Sequence, residues 1–154
     1  MLPHMSGALG LARILLQDNA AAEDAVQEAT TKAWRSYESL RDPALVQSWY
    51  FAIVVNVCRS MRRRRWWQVL RMPLVESQLP DRDESQVDEV LQLRVAFRRL
   101  QSSDRALLAM HYALDMPVSD VARTLHITES AAKSRLHDAL GRLRSAYREG
   151  ESDE

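Results

Sequence analysis

The sequence predicts an all-α protein: two small helical domains joined by a flexible acidic linker, the C-terminal one a helix-turn-helix. Three observations predict it. Apolar residues recur at helical spacing along nearly the whole chain, the strong turn formers fall between those segments instead of at the short regular intervals of a β-sandwich, and 154 residues contain only four glycines. With 46% apolar and 27% charged residues, the composition is that of a folded chain. One compact unit of this length buries roughly 68–70% of its unfolded surface, whereas halves of about 70 residues are each marginal and lean on a neighbour.

The elements follow in order. A first short helix is expected at about Leu9–Leu16, and Gln17-Asp18-Asn19 makes the turn, with Asn19 as N-cap of the next helix. That second helix, about Ala21–Tyr37, sets Ala22, Val26, Ala29 or Thr30, Ala33 and Tyr37 on one face with Trp34 beside them. Asp24, Gln27, Glu28 and Thr31 fall on the other face. Arg41-Asp42-Pro43 breaks the chain, and a third helix runs from about Ser48 into an arginine cluster. Its start, Trp49 to Val55, is rich in strand formers; length and the polar continuation favour helix. Helices at about Val87–Leu100, Ser103–Tyr112, Ser119–Leu125 and Glu129–Arg148 complete the chain, each preceded by a turn residue or capping candidate.

Charge divides the chain in the same way. Lys and Arg equal Asp and Glu at 21 each, and a neutral chain would argue against a nucleic-acid partner, because phosphate affinity comes from cations. By segment, however, the net charges are +4 for residues 1–71, −5 for 72–89, +5 for 90–148 and −4 for 149–154. The chain therefore reads as two basic domains, an acidic linker carrying Pro73 and Pro80, and an acidic tail. Arg59, Arg62, Arg63, Arg64, Arg65 and Arg71 form a run without a single acid; a solvated helix end is the plain alternative to a phosphate-binding face.

Several classes of function are excluded. The lone Cys58 rules out a disulfide framework and a cysteine-based zinc site. No export signal is expected at Met1-Leu2-Pro3-His4, and no apolar run reaches the roughly 18 residues of a membrane span, so a cytoplasmic protein without direct membrane insertion is expected. No nucleophile–base set, phosphate-binding glycine loop or ligand cluster is present, which predicts a protein that is not an enzyme and uses no cofactor or metal. A carboxylate site at Glu23, Asp24 and Glu28 lacks the histidine that would complete a metal set.

The most specific constellation is Ser119–Leu125, a turn through His126-Ile127-Thr128, and Glu129–His137. It has the form of a helix-turn-helix, a motif in which one helix crosses the DNA backbone and the second enters the major groove. Ala122 is small where the helices cross, and Leu125, Ile127, Ala132 and Leu136 supply a shared seam. Thr128 is placed to cap the second helix, while His126 occupies the turn position usually given to glycine and must accept positive φ. Ser130, Lys133, Ser134 and His137 project away from Ala132 toward a groove, and Arg135 lies to the side, nearer phosphate.

Phe97–Leu100, Asp104–Tyr112, Ser119–Ala122 and Ala132–Leu140 together resemble the fourth region of extracytoplasmic-function (ECF) sigma factors. Ala22–Trp34, followed by Ser48–Asn56 and the arginine run, resembles their second region. The resemblance implies a subunit that binds core RNA polymerase, recognises promoter DNA and directs DNA opening and transcription initiation. It implies that Asp24, Gln27 and Glu28, with Thr31 on the same face, dock on the clamp helices of the largest polymerase subunit. It assigns minus-ten recognition to a loop at Arg41–Gln47 and to Trp49, Asn56 and Arg59, with Arg62, Arg63, Arg64 and Arg65 on phosphates; Trp49 reads equally as core. Minus-thirty-five recognition falls to Ser130, Lys133, Ser134, Arg135 and His137, with Asp138 standing where many members carry arginine. An anti-sigma factor is the further partner implied. Family members usually carry another helix before the first one here, and its lack would uncover part of the second-region core. A sigma-like protein acting mainly through polymerase or anti-sigma binding, and a dimeric helix-turn-helix repressor, are the alternatives; the repressor leaves the Asp24-Gln27-Glu28 face unexplained.

Overall fold

The computed structural model describes residues 2–69 and 88–152. Among these residues seven α-helices follow one another: α1 (Met5–Leu16), α2 (Asn19–Ser36), α3 (Val46–Val69), α4 (Asp88–Arg99), α5 (Ser102–Leu108), α6 (Val118–Thr124) and α7 (Glu129–Ser152). The first three form one helical domain and the last four another. The proposed linker lies outside the described residues except for Asp88 and Glu89, which open α4.

In the first domain α1 begins at Met5, earlier than the periodicity suggests, after a 3-10 turn at Leu2–His4. Gln17 closes it in the left-handed region (φ 55°), its N–H donating to Arg13 O at 2.8 Å. The N-cap of α2 is Asp18 and not Asn19: Asp18 is extended and its carboxylate accepts from Ala21 N at 2.9 Å, which places Asn19 inside the first turn. The buried stripe of α2 is alanine, with Ala21, Ala22, Ala25, Ala29 and Ala33 joined by Val26. Small side chains let α1 and α3 approach closely. Tyr37 falls outside that stripe, in a 3-10 turn, and is half exposed, while Trp34 is 76% exposed.

The strand-forming start of α3 is helical. Tyr50, Phe51, Val54, Val55, Val57 and Cys58 are all buried because α3 packs against α1, α2 and α6 on different sides. Burial around most of the helix removes the amphipathic signature and overrides the β preference of Ile53, Val54 and Val55. The one polar atom of Tyr50 is satisfied: its hydroxyl lies 2.8 Å from Thr30 Oγ1, which itself donates to Val26 O.

In the second domain Arg105 holds the end of α4. Its side chain is 6% exposed and donates to Leu100 O and, at 3.3 Å, to Arg98 O, carbonyls that the end of the helix leaves without internal partners. Asp104 beside it pairs with Arg142 of α7 at 2.8 Å. Where a helix through Tyr112 is expected, α5 ends at Leu108 and a π-helical turn takes Ala109–Ala113, with Leu114 N bonded to Ala109 O. His111 Nδ1 donates to Met116 O at 2.8 Å across the bend, where Asp115 adopts φ 50°. α7 continues past Arg148 to Ser152, so residues 149–152 of the expected acidic tail are helical.

The two domains pack on each other. α6 lies against α3, and α5 and the π turn lie against α1. Leu11, Phe51 and Val54 of the first domain share one continuous core with Leu107, Met116 and Val121 of the second. The hydroxyl of Thr124, bonded within α6 to Asp120 O at 2.8 Å, also approaches Ser48 O of α3 at 3.3 Å, and both residues are buried.

Candidate nucleic-acid and partner surfaces

Three surfaces are built on these elements. On α2, Asp24, Gln27 and Thr31 are exposed opposite the alanine stripe and Glu28 is half-buried. Glu28 pairs with Lys32 at 2.7 Å, and this hydrogen bond, with Arg64 nearby, holds its carboxyl below the usual range. Beside this face runs an open groove of about 660 Å³ between α1 and α2, lined by Met5, Leu9, Val26 and Trp34 with Gln27 and Thr31 at its rim. That groove is not apparent from the periodicity of α1 and α2. Its signal was Trp34, which stands about 100° around the helix from buried Ala33.

On α3, Asn56, Arg59 and Arg63 are exposed at i, i+3 and i+7, one stripe of the helix, with Arg62 adjoining. Arg64 donates to Ser60 Oγ at 3.3 Å, and Arg65 pairs with Asp18 at 2.7 Å. The arginine run is thus divided between a solvent-facing stripe and a strut that ties the end of α3 to the start of α2. Trp49 is half-buried against the core, edge-on to Tyr37 with ring centroids 6.4 Å apart. Arg41 is exposed ahead of a 3-10 turn at Pro43–Leu45, which Asp42 caps through Ala44 N. Trp66 and Trp67 have side chains outside the described residues.

On α6 and α7 the turn has the expected chemistry. His126 takes φ 55°, and Thr128 Oγ1 accepts from Ala131 N at 3.1 Å. Ala122, Ala132 and Leu136 are buried between the helices. Ser130, Lys133, Ser134, Arg135 and His137 are all exposed, and Glu129, also overlooked in the sequence, pairs with Lys133 at 3.1 Å. Among the described residues no group of His, Cys, Asp or Glu is placed to hold a metal ion, and no helix is long and apolar enough to cross a membrane.

Comparison with known proteins matches residues 3–68 to the sigma-70 region 2 family and residues 91–143 to the sigma-70 region 4 family. The ECF RNA polymerase sigma factor SigM of Mycobacterium tuberculosis is 36% identical over 137 residues, which cover 86% of this chain and 67% of SigM. The chain belongs to the ECF sigma factors. SigL of the same organism is 31% identical over 141 residues, covering 88% of the chain and 79% of SigL. The fold of this sigma factor is shared with RpoE of Bartonella quintana, solved with the anti-sigma factor NepR, at a TM-score of 0.77 and 23% identity over 96% of this chain and 93% of that one. As a sigma factor it binds core RNA polymerase and promoter DNA and directs transcription initiation.

The strut of this sigma factor is pH-sensitive. The bond from Ala21 N and then the Arg65 guanidinium hold the Asp18 carboxyl below its ordinary value. A depressed carboxyl contributes stability that is present above its unfolded pKa, about 3.9, and is lost as pH falls through the lower folded value. Asp18→Asn is expected to lower the thermal midpoint at pH 7 and to flatten its decline below about pH 4; parallel melting curves for variant and parent across that range would refute the assignment.

Proposed function

We propose that this sigma factor uses residues 1–71 to dock polymerase and read the minus-ten element, and residues 90–148 to read the minus-thirty-five element, with 72–89 as the connector between them. Asp24, Gln27, Glu28 and Thr31 meet the polymerase clamp helices. The loop at Arg41, then Trp49, Asn56, Arg59 and the arginines through Arg65, engage the minus-ten strand. Ser130, Lys133, Ser134, Arg135 and His137 enter the upstream major groove. The observation that supports this reading best is that the exposed polar face of α2, the Asn56–Arg59–Arg63 stripe and the groove-facing side of α7 all coincide with these assignments while their opposite faces are buried. The protein acts by binding, without catalytic chemistry, in the cytoplasm. An anti-sigma factor is its regulatory partner: the RpoE structure holds the anti-sigma factor NepR, and the structurally similar CnrH was solved with the cytosolic domain of CnrY.

The test is transcription in vitro with core polymerase and a promoter selected from random DNA by the reconstituted holoenzyme; no sigma-dependent transcript would overturn the proposal. A finer expectation concerns α7. Lys133→Ala weakens minus-thirty-five duplex binding about tenfold, as loss of one good base or phosphate contact does, whereas Glu129→Gln strengthens it several-fold by releasing Lys133 and removing a carboxylate from the groove. Fluorescence anisotropy on the isolated duplex separates the two, and equal affinities would exclude Lys133 from the interface.

A further inference from the structure

Glu129 stands at the start of the groove-facing helix α7, although DNA phosphates and most groove-edge atoms of the bases repel a carboxylate. Its place is fixed from both sides. His126 holds the turn before it at φ 55°, and Thr128 Oγ1 caps the helix through Ala131 N. One turn on, Lys133 Nζ lies 3.1 Å from Glu129 Oε1, and the two side chains are 65% and 53% exposed, so the pair is formed yet open to an incoming base edge. Glutamate four residues before lysine at a helix start is the favoured order for such a pair. Ser130 and Ser134, exposed beside it, carry no charge that would compete for either partner.

The spacing within the pair matches that within a base pair. In the major groove guanine presents O6 and N7 as acceptors and cytosine an N4 amine, while adenine presents an N6 amine and N7, and thymine O4 beside its methyl group. In both base pairs that amine and that oxygen are hydrogen-bonded to each other at about 2.9–3.0 Å, and the amine keeps a second hydrogen and the oxygen a second lone pair for the groove. Carboxylate and ammonium 3.1 Å apart therefore meet amine and oxygen at nearly the same separation. The match has a sense. With Glu129 over the amine and Lys133 over the oxygen both contacts are attractive, and with the base pair reversed both are repulsive. Lys133 also separates the two matching pairs, because guanine offers it N7 besides O6, whereas thymine offers one oxygen and a methyl group.

We propose that Glu129 and Lys133 act as one unit that reads a single base pair of the minus-thirty-five element, taking C·G before A·T and rejecting G·C and T·A, where the base named first lies under Glu129. Glu129 is the specificity-determining member: its carboxylate lowers affinity for every duplex, and lowers it most where a base oxygen faces it. This rests on the functional reading above that α7 enters the upstream groove.

Fluorescence anisotropy of the full chain tests it, on duplexes that carry all four base pairs in turn at each position of the selected minus-thirty-five element. The parent should show a position at which C·G and A·T bind about tenfold more tightly than G·C and T·A. There Glu129→Gln, whose amide both accepts and donates, should bring that ratio below about threefold, chiefly by strengthening the rejected pairs, with the other positions unchanged. Lys133→Ala should keep the preference for an amine under Glu129 and lose that for C·G over A·T. Both positions are exposed, so circular dichroism should not change. An ion pair that only supports the helix moves none of these ratios. Parent ratios retained in Glu129→Gln, with Lys133→Ala still weakening binding, would overturn the paired reading and leave the role of α7 standing. Equal affinity of the parent and both variants for every duplex would overturn the role of α7, and the paired reading with it.

Discussion

Arg105→Met lowers the thermal midpoint of the chain by roughly 5–15 °C. Two effects oppose each other. Burial, with Arg62 as a lesser contributor, disfavours the charged guanidinium and holds it below its ordinary value, so an apolar replacement relieves a desolvation cost. Against this, Leu100 O and Arg98 O at the end of α4 lose their donor. Stranded acceptors of this kind cost about 1–3 kcal/mol each, and about 2–4 °C accompanies each kcal/mol in a protein of this size. The second effect wins because methionine fills the volume but offers no N–H. Differential scanning calorimetry reads the shift, and a change under about 2 °C would mean that water replaces the guanidinium at these carbonyls.

Asp24→Lys weakens core polymerase binding at least tenfold and leaves folding untouched. Asp24 is exposed on α2 and takes no part in a hydrogen bond or ion pair within the described chain, so its reversal alters the proposed docking face and nothing inside. Opposed charges at a protein interface carry coupling energies of about 1.5–7 kcal/mol, and reversal converts attraction to repulsion. Competition with a labelled sigma factor for core polymerase measures it, alongside circular dichroism. An unchanged affinity would move the docking face elsewhere, most directly to the Met5–Trp34 groove.

What could be read from the sequence was whatever local chemistry decides. The helix-turn-helix was legible down to the positive φ of His126 and the Thr128 cap because a turn and an N-cap are fixed within a few residues. The exposed face of α2 was legible because one helix side buries alanine. The faint signal in α3 has a long-range cause: it is enclosed by elements from both domains, and no window along the chain contains α6. Asp18 caps α2 in place of Asn19 because the left-handed Gln17 sets the helix entry one residue earlier, where the Asp18 carboxylate meets Ala21 N. The π turn and the buried Arg105 answer to packing between helices, which composition does not record. Division of the arginine run into strut and stripe follows from the helix phase of Arg65 against the start of α2.

The enclosure of α3 bears on the lifetime of the protein. Exposing the side of α3 that α6 covers, with Ser48 and its apolar neighbours, would open a helix rich in valine, phenylalanine and tyrosine to proteases and to self-association. The α3–α6 contact therefore guards the chain against degradation as well as against melting.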